Sequence, residues 1–353
     1  MTRETSNRLG YVDAMRGIAI IAVVMGHCNL AGKFVYLFHI PVFMFVSGLL
    51  NTHDAAASFH ELSYRMRHVV WKRYIPFVVV ETIFLLFHNF FYHFHWLSEK
   101  FGYRQFASTF VKIVSLGGGE SLGGALWFVI VLFEISVCFE IFLLLEKFFR
   151  RNFHIVMCLI AAMCFFAGFH IKMPRLLDRA CILSLYYVAG YLVRRYDANI
   201  LSRLRTIPAM VISIALLAGV AVSPLKVSWD GGNPLLSLLC GIAGITMVYG
   251  LASEFAKSHI GGLLTRYGRD SFFIMAYHFL GFKICAAALT LLGFANLRTF
   301  VPLTPPPHTG FLLLVVFCIV GLEFSCAVGL FWKYTSSKVK EIWTCCGKSS
   351  REA

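Results

Sequence analysis

An arginine and a histidine stand eleven residues apart in one apolar stretch of the sequence, Asp13 to Asn29. An α-helix rises about 1.5 Å and turns about 100° per residue, so Arg16 and His27 would share one helix face, roughly 16 Å apart. They cannot touch each other at that separation, but they can contact the two ends of one long ligand. A guanidinium binds phosphate, and a neutral imidazole accepts a proton near neutral pH.

The rest of this stretch is apolar enough for a membrane core, which gives both residues a functional interpretation. An ionisable side chain within a membrane helix costs roughly 2.5–3.5 kcal/mol on insertion scales and by default indicates function. The alternative interpretation is structural. Arg16 would mark the cytosolic boundary of the helix and extend its side chain to lipid headgroups, and His27 would be an interfacial residue at the other end. This stretch by itself supports both interpretations.

The composition places the chain in a bilayer. Of its 353 residues, 58% are hydrophobic and only 14% are charged, whereas a soluble domain has about 25% charged residues. The formal net charge is +14, but the basic residues lie in short clusters between apolar runs, which is typical of the cytosolic loops of membrane proteins. This distribution argues against a nucleic-acid partner. Most cysteines lie within apolar runs and none forms a zinc-like CxxC pair, so we expect no metal.

The hydropathy pattern predicts an all-α polytopic membrane protein with about ten transmembrane helices. The predicted spans are residues 11–30, 34–51, 74–92, 125–146, 154–171, 181–196, 208–223, 235–254, 271–292 and 311–332. Alternate loops, counted from the N-terminus, carry more than twice as many Lys and Arg residues as the loops between them, which predicts that both termini are cytosolic. We assign residues 1–335 to one membrane-embedded domain and residues 336–353 to a short basic cytosolic tail.

Several basic residues next to the spans are candidates for binding an anionic ligand. Arg65 lies two helical turns before Lys72 and Arg73, so these side chains can line one helix face, and Arg269 precedes the ninth span. A cluster of this kind suits a ligand with several phosphates. The alternative is a topology signal whose side chains contact lipid headgroups.

Two kinds of polar residue within the spans could support His27. His278 in the ninth span can orient His27 or take its place, or it can be a packed histidine bonded to a backbone carbonyl. A carboxylate can also hold the imidazole tautomer, as the acid does in a catalytic triad. The acids in the predicted spans are Glu81, Glu134, Glu140 and Glu323, of which we select Glu134 as the catalytic candidate.

Three further residues are candidates for binding a second ligand, distinct from the anionic one. They are His39, Ser47 and Trp127. For Ser47 the alternative is a packing role, because Ser47-Gly48 allows close approach of a neighbouring helix. A histidine group at His88, His93 and His95 lies among aromatic residues, and it fits an aromatic belt at the membrane interface better than a metal site.

Short stretches spread over the chain together resemble the acyltransferase-3 superfamily of membrane acyltransferases. The resemblance is to the branch that O-acetylates sugars, which includes fucose 4-O-acetylase-like and exopolysaccharide acetyltransferases. Several motifs in order are much more specific than any one of them. They are Val12 to Ala19 followed by His27 at an Arg-x10-His spacing, Phe38 to Phe43 followed by Ser47-Gly48, Lys72 to Pro76, Leu126-Trp127-Phe128, Tyr187 to Leu192, and Tyr267 to Ser271 followed by His278.

The resemblance implies that Arg16 and His27 are essential and that acyl-CoA, most simply acetyl-CoA, is the donor. It implies a membrane O-acyltransferase that acts on a hydroxyl of a cell-surface glycan or lipid-linked sugar, with His27 as general base. The location implied is a bacterial cytoplasmic (inner) membrane. The alternative interpretation is a transporter or flippase for a glycan or small anion. Such proteins often show repeated halves, and the sequence shows no internal repeat.

Overall fold

The apolar runs of the sequence form helices. A computed structural model describes residues 3–196, 200, 203, 205–227, 232–256, 258–293, 303–306 and 309–349, with side chains for residues 10–338 of these ranges. This described part contains no β-strand, which confirms the predicted all-α class. Helices dominate because a backbone within a bilayer has no water to bond and must satisfy its own N–H and C=O groups.

Sixteen α-helices are found in the described residues. They are α1 (Arg3–His27), α2 (Gly32–Tyr36), α3 (His39–Leu49), α4 (Phe59–Val69), α5 (Ile75–Leu86), α6 (His88–His93), α7 (Tyr103–Val114), α8 (Trp127–Phe142), α9 (Glu146–Phe149), α10 (Phe153–His170), α11 (Leu177–Tyr196), α12 (Ile207–Val222), α13 (Pro234–Phe255), α14 (His259–Arg269), α15 (Ser271–Leu291) and α16 (Phe311–Ser349). A π-helical turn, Val70–Tyr74, joins α4 to α5, and a 3₁₀ segment, Ser121–Leu126, leads into α8.

Each of the ten predicted spans coincides with helix. Within the described residues, seven helical regions are long and apolar enough to cross a membrane, and one of these, Ser121–His170, contains both α8 and α10. The second predicted span is interrupted, because the chain leaves helical geometry at Phe38 (φ −137°, ψ −23°) between α2 and α3. The last helix continues past residue 336 to Ser349, and the assignment of residues 336–353 to a cytosolic tail stays a prediction. The protein is a multi-pass membrane protein, and the number of crossings stays a prediction.

Two helix pairs at the centre of the structure pack with unusually close backbones. A Cβ at Gly48 of α3 would lie 1.9 Å from the carbonyl oxygen of Tyr187, and one at Gly190 of α11 would lie 1.9 Å from that of Phe45. The same reciprocal arrangement joins α1 to the amphipathic helix α14. Small residues let membrane helices approach in this way and gain packing that lipid alone does not drive. These contacts fix α1, which carries Arg16 and His27, and α3, which carries His39 and Ser47.

Candidate active site

Arg16 and His27 of α1 both contact α15. Arg16 Nη2 donates to Ser271 Oγ at 2.8 Å. His27 Nδ1 lies 2.8 Å from His278 Nε2. Because Arg16 precedes His27 and Ser271 precedes His278, α1 and α15 run in the same direction, as expected for the first and ninth of ten spans. The expected common face of Arg16 and His27 is therefore the face turned towards α15.

The hydrogen bonds of His278 determine which nitrogen of His27 is free. His278 Nδ1 lies 2.8 Å from the carbonyl oxygen of Ile274, which can only accept, so Nδ1 carries the hydrogen. In the neutral ring Nε2 of His278 is then an acceptor, and His27 Nδ1–H must donate to it. The Nε2 atom of His27 is left with its lone pair available. His278 is buried and His27 is half-buried, so His27 is the ring of the pair that a ligand can reach.

A basic cavity of about 490 Å³ opens at the Arg16 end of α1. Arg16 and Arg73 line it as half-buried side chains, and Lys72 and His68 line it as exposed ones. Lys72 and Arg73 lie in the π-helical turn between α4 and α5, and such turns are frequent at functional sites. The cavity thus gathers several cationic donors around one volume, as a ligand with several phosphates requires.

Polar groups on α11 and the α3–α4 connection complete the wall of the basic cavity. Arg73 interacts with the Tyr187 hydroxyl, which also accepts a hydrogen bond from Asn51 Nδ2 at 3.0 Å. Glu140 of α8 is the one acid among the described residues that line the cavity, and its carboxyl contacts His53 at 2.5 Å. Arg65, from outside the cavity, also pairs with this carboxyl at 3.4 Å, and Arg16, Lys72 and Arg73 make the lining basic.

The inner end of the basic cavity approaches the histidine pair. Its apolar floor includes Phe43, Phe128 and Met275, and the Phe43 and Phe128 rings lie 5.2 Å apart. Met275 is three residues before His278 on α15, about one helical turn. The floor therefore ends about one turn from the level of the two histidines. A ligand whose anionic groups lie at Arg16 can extend its other end towards His27.

Two of the basic candidates lie outside this cavity. Arg65 is held by the Asp54 carbonyl at 2.7 Å, by Glu140 at 3.4 Å and by Glu61. Backbone N–H donation from Ala57, together with the Arg65 contact, lowers the pKa of the Glu61 carboxyl. Arg269 is largely exposed and pairs with Asp13 at 3.1 Å. The structure therefore brings Arg16, Lys72 and Arg73 together, while Arg65 and Arg269 bind acidic partners.

The remaining candidates are divided between three places. Ser47 lines the basic cavity and donates to the Phe43 carbonyl at 2.8 Å. His39 is buried and bonded to the Val35 carbonyl at 2.7 Å, and Tyr36 lies between its ring and that of His27. Trp127 lines a second cavity at the His27 end, beneath the Arg179 guanidinium.

Glu134 is not placed beside His27. It lines an apolar cleft formed by α8, α10 and α11, and its buried Oε2 atom has no hydrogen-bond partner in the described part of the chain. The group that contacts the His27 imidazole is instead the second histidine, His278. No group of three His, Cys, Asp or Glu side chains within the described ranges is placed to hold a metal ion.

Sequence reasoning did not identify Ser271 and Tyr187 as site residues. Both stand inside the stretches on which the family resemblance rests, and this is the signal that could have found them. Asn51 and His53 lie in the segment between α3 and α4, where no local pattern marks them.

Comparison with known proteins gives one match. The family model described as the acyltransferase domain of the acyltransferase-3 type matches residues 9–322, from the first turns of α1 into α16. No curated protein and no solved structure matches the chain.

Proposed function

The chain belongs to the acyltransferase-3 family, and from this premise we propose that it transfers an acetyl or similar short acyl group from acyl-CoA to a sugar hydroxyl. The acceptor is a cell-surface glycan or a lipid-linked sugar. The protein is a multi-pass membrane protein, and we propose that it lies in the cytoplasmic membrane of a bacterium with the basic cavity open to the cytosol. Acyl-CoA then enters from the side where it is made.

The basic cavity supports acyl-CoA as donor. CoA carries its phosphates at one end and its thioester at the other, which is the kind of long ligand that Arg16 and His27 can contact together. Arg16, Lys72 and Arg73 supply charge-assisted donors at one end of the cavity, and Arg is suited to bidentate phosphate binding. The apolar floor at Phe43 and Met275 suits the less polar pantetheine arm, which would lead the thioester towards His27.

The histidine pair supports general-base catalysis. A sugar hydroxyl is too weak an acid to attack a thioester unaided, and a positioned base typically contributes ~10²–10⁴-fold in rate. His27 Nε2 is the free basic atom, because Nδ1 is directed to His278. His278 acts as a positioning residue that fixes the tautomer and orientation of His27, the part that an acid takes in a catalytic triad.

The reaction proceeds as one balanced transfer. His27 Nε2 takes the hydroxyl proton as the acceptor oxygen forms a bond to the thioester carbonyl carbon. The C–S bond then breaks, and the CoA thiolate takes the proton from the imidazolium of His27. The products are the O-acyl ester and CoA with a free thiol, and His27 is again neutral. A short-lived acyl group on His27 Nε2 would use the same atom and end with the same products.

The single observation that carries this proposal is the placement of Arg16 and His27 on one face of α1, with the basic cavity at one end and the His278 pair at the other. It is tested with purified protein, acetyl-CoA labelled in the acyl group, and a panel of bacterial glycans and lipid-linked sugars. We expect ester-linked label in an acceptor and release of an equal amount of CoA thiol. A protein that binds CoA but transfers no label, and that instead exchanges a glycan across vesicles, would overturn the proposal in favour of transport.

A further inference from the structure

A second cavity, of about 370 Å³, lies at the His27 end of the helices. We call it the acidic cavity, since the carboxyls of Glu81 and Glu120 line it together with Trp127 and Arg175. On α8, the acidic cavity is lined by Trp127, the first residue of the helix, whereas the lining of the basic cavity extends from Phe128 to Glu140 near the end of the helix. The two cavities thus lie at opposite ends of the layer that contains His27 and His278. A volume of this size is within the range of small-molecule sites, roughly 300–1,000 Å³.

The carboxyl of Glu81 is fixed in the wall and retains unused acceptor capacity. Glu81 is 1% exposed. Its Oε2 accepts the backbone N–H of Glu120 at 2.6 Å, and no described residue donates to Oε1. Gly119 and Gly123 permit this position, because a Cβ at Gly123 would lie 2.3 Å from Oε1 and one at Gly119 would lie 2.5 Å from Oε2. A buried carboxyl with an unoccupied acceptor is costly unless a ligand completes its hydrogen bonds.

The second carboxyl is also positioned by the protein. His88 Nδ1 lies 3.0 and 3.1 Å from the two oxygens of Glu120, and His88 Nε2 lies 3.0 Å from the Glu99 carbonyl oxygen. His88 is buried and stacks on Phe101, with ring centroids 3.4 Å apart. The imidazole therefore holds the Glu120 side chain against the cavity, where its other lone pairs can accept.

The remaining groups suit a polyhydroxylated ring. Carboxylates accept from several hydroxyl groups at once, and the half-buried indole of Trp127 offers a flat apolar face to the C–H face of a sugar. The Arg179 guanidinium lies 4.9 Å from the centroid of that indole, which orients the ring. Arg175 adds a donor for ring or hydroxyl oxygens. Two acids, one aromatic face and one cation favour a sugar over an apolar or anionic ligand.

The acidic cavity is separated from His27 by one aromatic side chain. A Cβ at Gly124, in the cavity wall, would lie 3.8 Å from the side chain of Phe279. The Phe279 ring in turn lies 4.8 Å from the His27 ring and 4.3 Å from the His278 ring, measured between centroids. Phe279 therefore connects the wall of the acidic cavity to the histidine pair, and a sugar bound in the cavity lies next to this contact.

We propose that the acidic cavity is the acceptor site, and that it selects a sugar residue by hydrogen bonds to the carboxyls of Glu81 and Glu120 and by stacking on Trp127. The proposal rests on the function proposed above and adds the location and the binding groups of the acceptor. Donor and acceptor then enter from opposite ends of the helices and meet at His27.

The test measures sugar binding directly, so that it does not depend on catalysis. Wild-type protein in lipid nanodiscs is titrated with methyl glycosides of glucose, galactose, mannose and fucose, followed by tryptophan fluorescence, and CoA binding is measured on the same sample. We expect at least one glycoside to bind. Glu81→Gln keeps the shape of the side chain but replaces one carboxyl oxygen by an amide group, and it should weaken glycoside binding roughly 10- to 100-fold while CoA binding is unchanged.

Two further variants distinguish an effect on the binding site from a general effect of substitution. Gly123→Ala forces Glu81 to move and should weaken glycoside binding at least as much as Glu81→Gln. The control for the change from carboxyl to amide is Glu254→Gln, at an exposed residue paired with Arg205, and this variant should bind glycoside and CoA as the wild type does.

Each outcome decides the proposal. It is overturned if no glycoside binds the wild type at millimolar concentrations, or if Glu81→Gln binds glycosides normally. It is equally overturned if Glu81→Gln loses CoA and glycoside binding together, because Glu81 then supports the fold and not the ligand. Glycoside binding that depends on Glu81, without any transfer of label, would support the acceptor site and refute the proposed acyltransfer.

Discussion

Nδ1 of His27 lies 2.8 Å from Nε2 of His278, although 251 residues separate the two in the chain. The Ile274 carbonyl fixes the hydrogen on the other nitrogen of His278. A backbone carbonyl one turn earlier in α15 therefore determines, through two imidazole rings, which atom of His27 can act as a base.

This arrangement predicts a graded effect of substitutions at His278. His278→Gln can place its amide oxygen near the position of Nε2 and accept from His27, so it should retain part of the turnover. His278→Leu removes the acceptor and should lower kcat further, with KM for acyl-CoA unchanged. The measurement is steady-state acyl transfer by both variants across pH 5 to 9.

A double variant shows whether His278 acts through His27. If it does, adding His278→Leu to His27→Gln should cause no further loss of rate, since groups that act as a unit are not additive. Additive losses would contradict the positioning role and show that His278 has a separate function.

The sequence predicted those features that depend on local periodicity. The all-α membrane class follows from the apolar runs, and the common face of Arg16 and His27 follows from helix geometry alone. The amphipathic helices α4, α7 and α14 were not among the predicted spans, because a search for long apolar runs does not detect them. Pairings between distant segments carry no local signal. The contact of His27 with His278, and the binding of Arg65 and Arg269 to acidic partners, required the fold.

The arginines differ in a way that predicts their effects on the donor. Arg16→Ala should weaken binding of CoA most, and Arg73→Ala somewhat less, because each loses charge-assisted hydrogen bonds worth ~1.5–3 kcal/mol. Arg269→Ala is the matched control, since Arg269 is exposed and lies outside the basic cavity. Calorimetric titration of purified variants with CoA measures all three. Equal affinities in the wild type, Arg16→Ala and Arg73→Ala would refute the phosphate-binding role.

Two glycines of α14 form a matched pair for helix packing. A Cβ at Gly268 would lie 1.9 Å from the Asp13 carbonyl oxygen of α1, whereas a Cβ at Gly262 has nothing within 4 Å. Gly268→Ala should therefore separate α1 from α14 and lower the melting temperature. Gly262→Ala should be neutral or stabilise by ~0.5–1 kcal/mol, because alanine favours a helix more than glycine does. Thermal unfolding in detergent compares them, and equal stabilities would refute the importance of this contact.

The distribution of basic residues predicts the orientation of the chain. Short tags at residues 62 and 200 should be accessible only from the cytosol, and a tag at residue 230, which lies outside the described residues, only from the other side. Labelling of intact cells and of inverted vesicles distinguishes the two faces. Access to residue 200 from outside would contradict the ten-span topology and reverse the side assigned to later site residues.

Substitution of His27 gives the most direct test of the chemistry. His27→Gln keeps size and polarity and can still donate to His278, but it cannot accept a proton at neutral pH. Acyl transfer should therefore fall by ~10²–10⁴-fold, while CoA binding stays near normal, because the phosphates are bound at Arg16, roughly 16 Å along α1. His154→Gln is the matched control, since that histidine is exposed and lies beside Tyr196, away from both cavities. Binding and turnover must be measured on the same purified sample, so that loss of the fold is not mistaken for loss of the base. Near-normal turnover by His27→Gln would show that His27 is structural, and would make His278 the first residue to examine as the base.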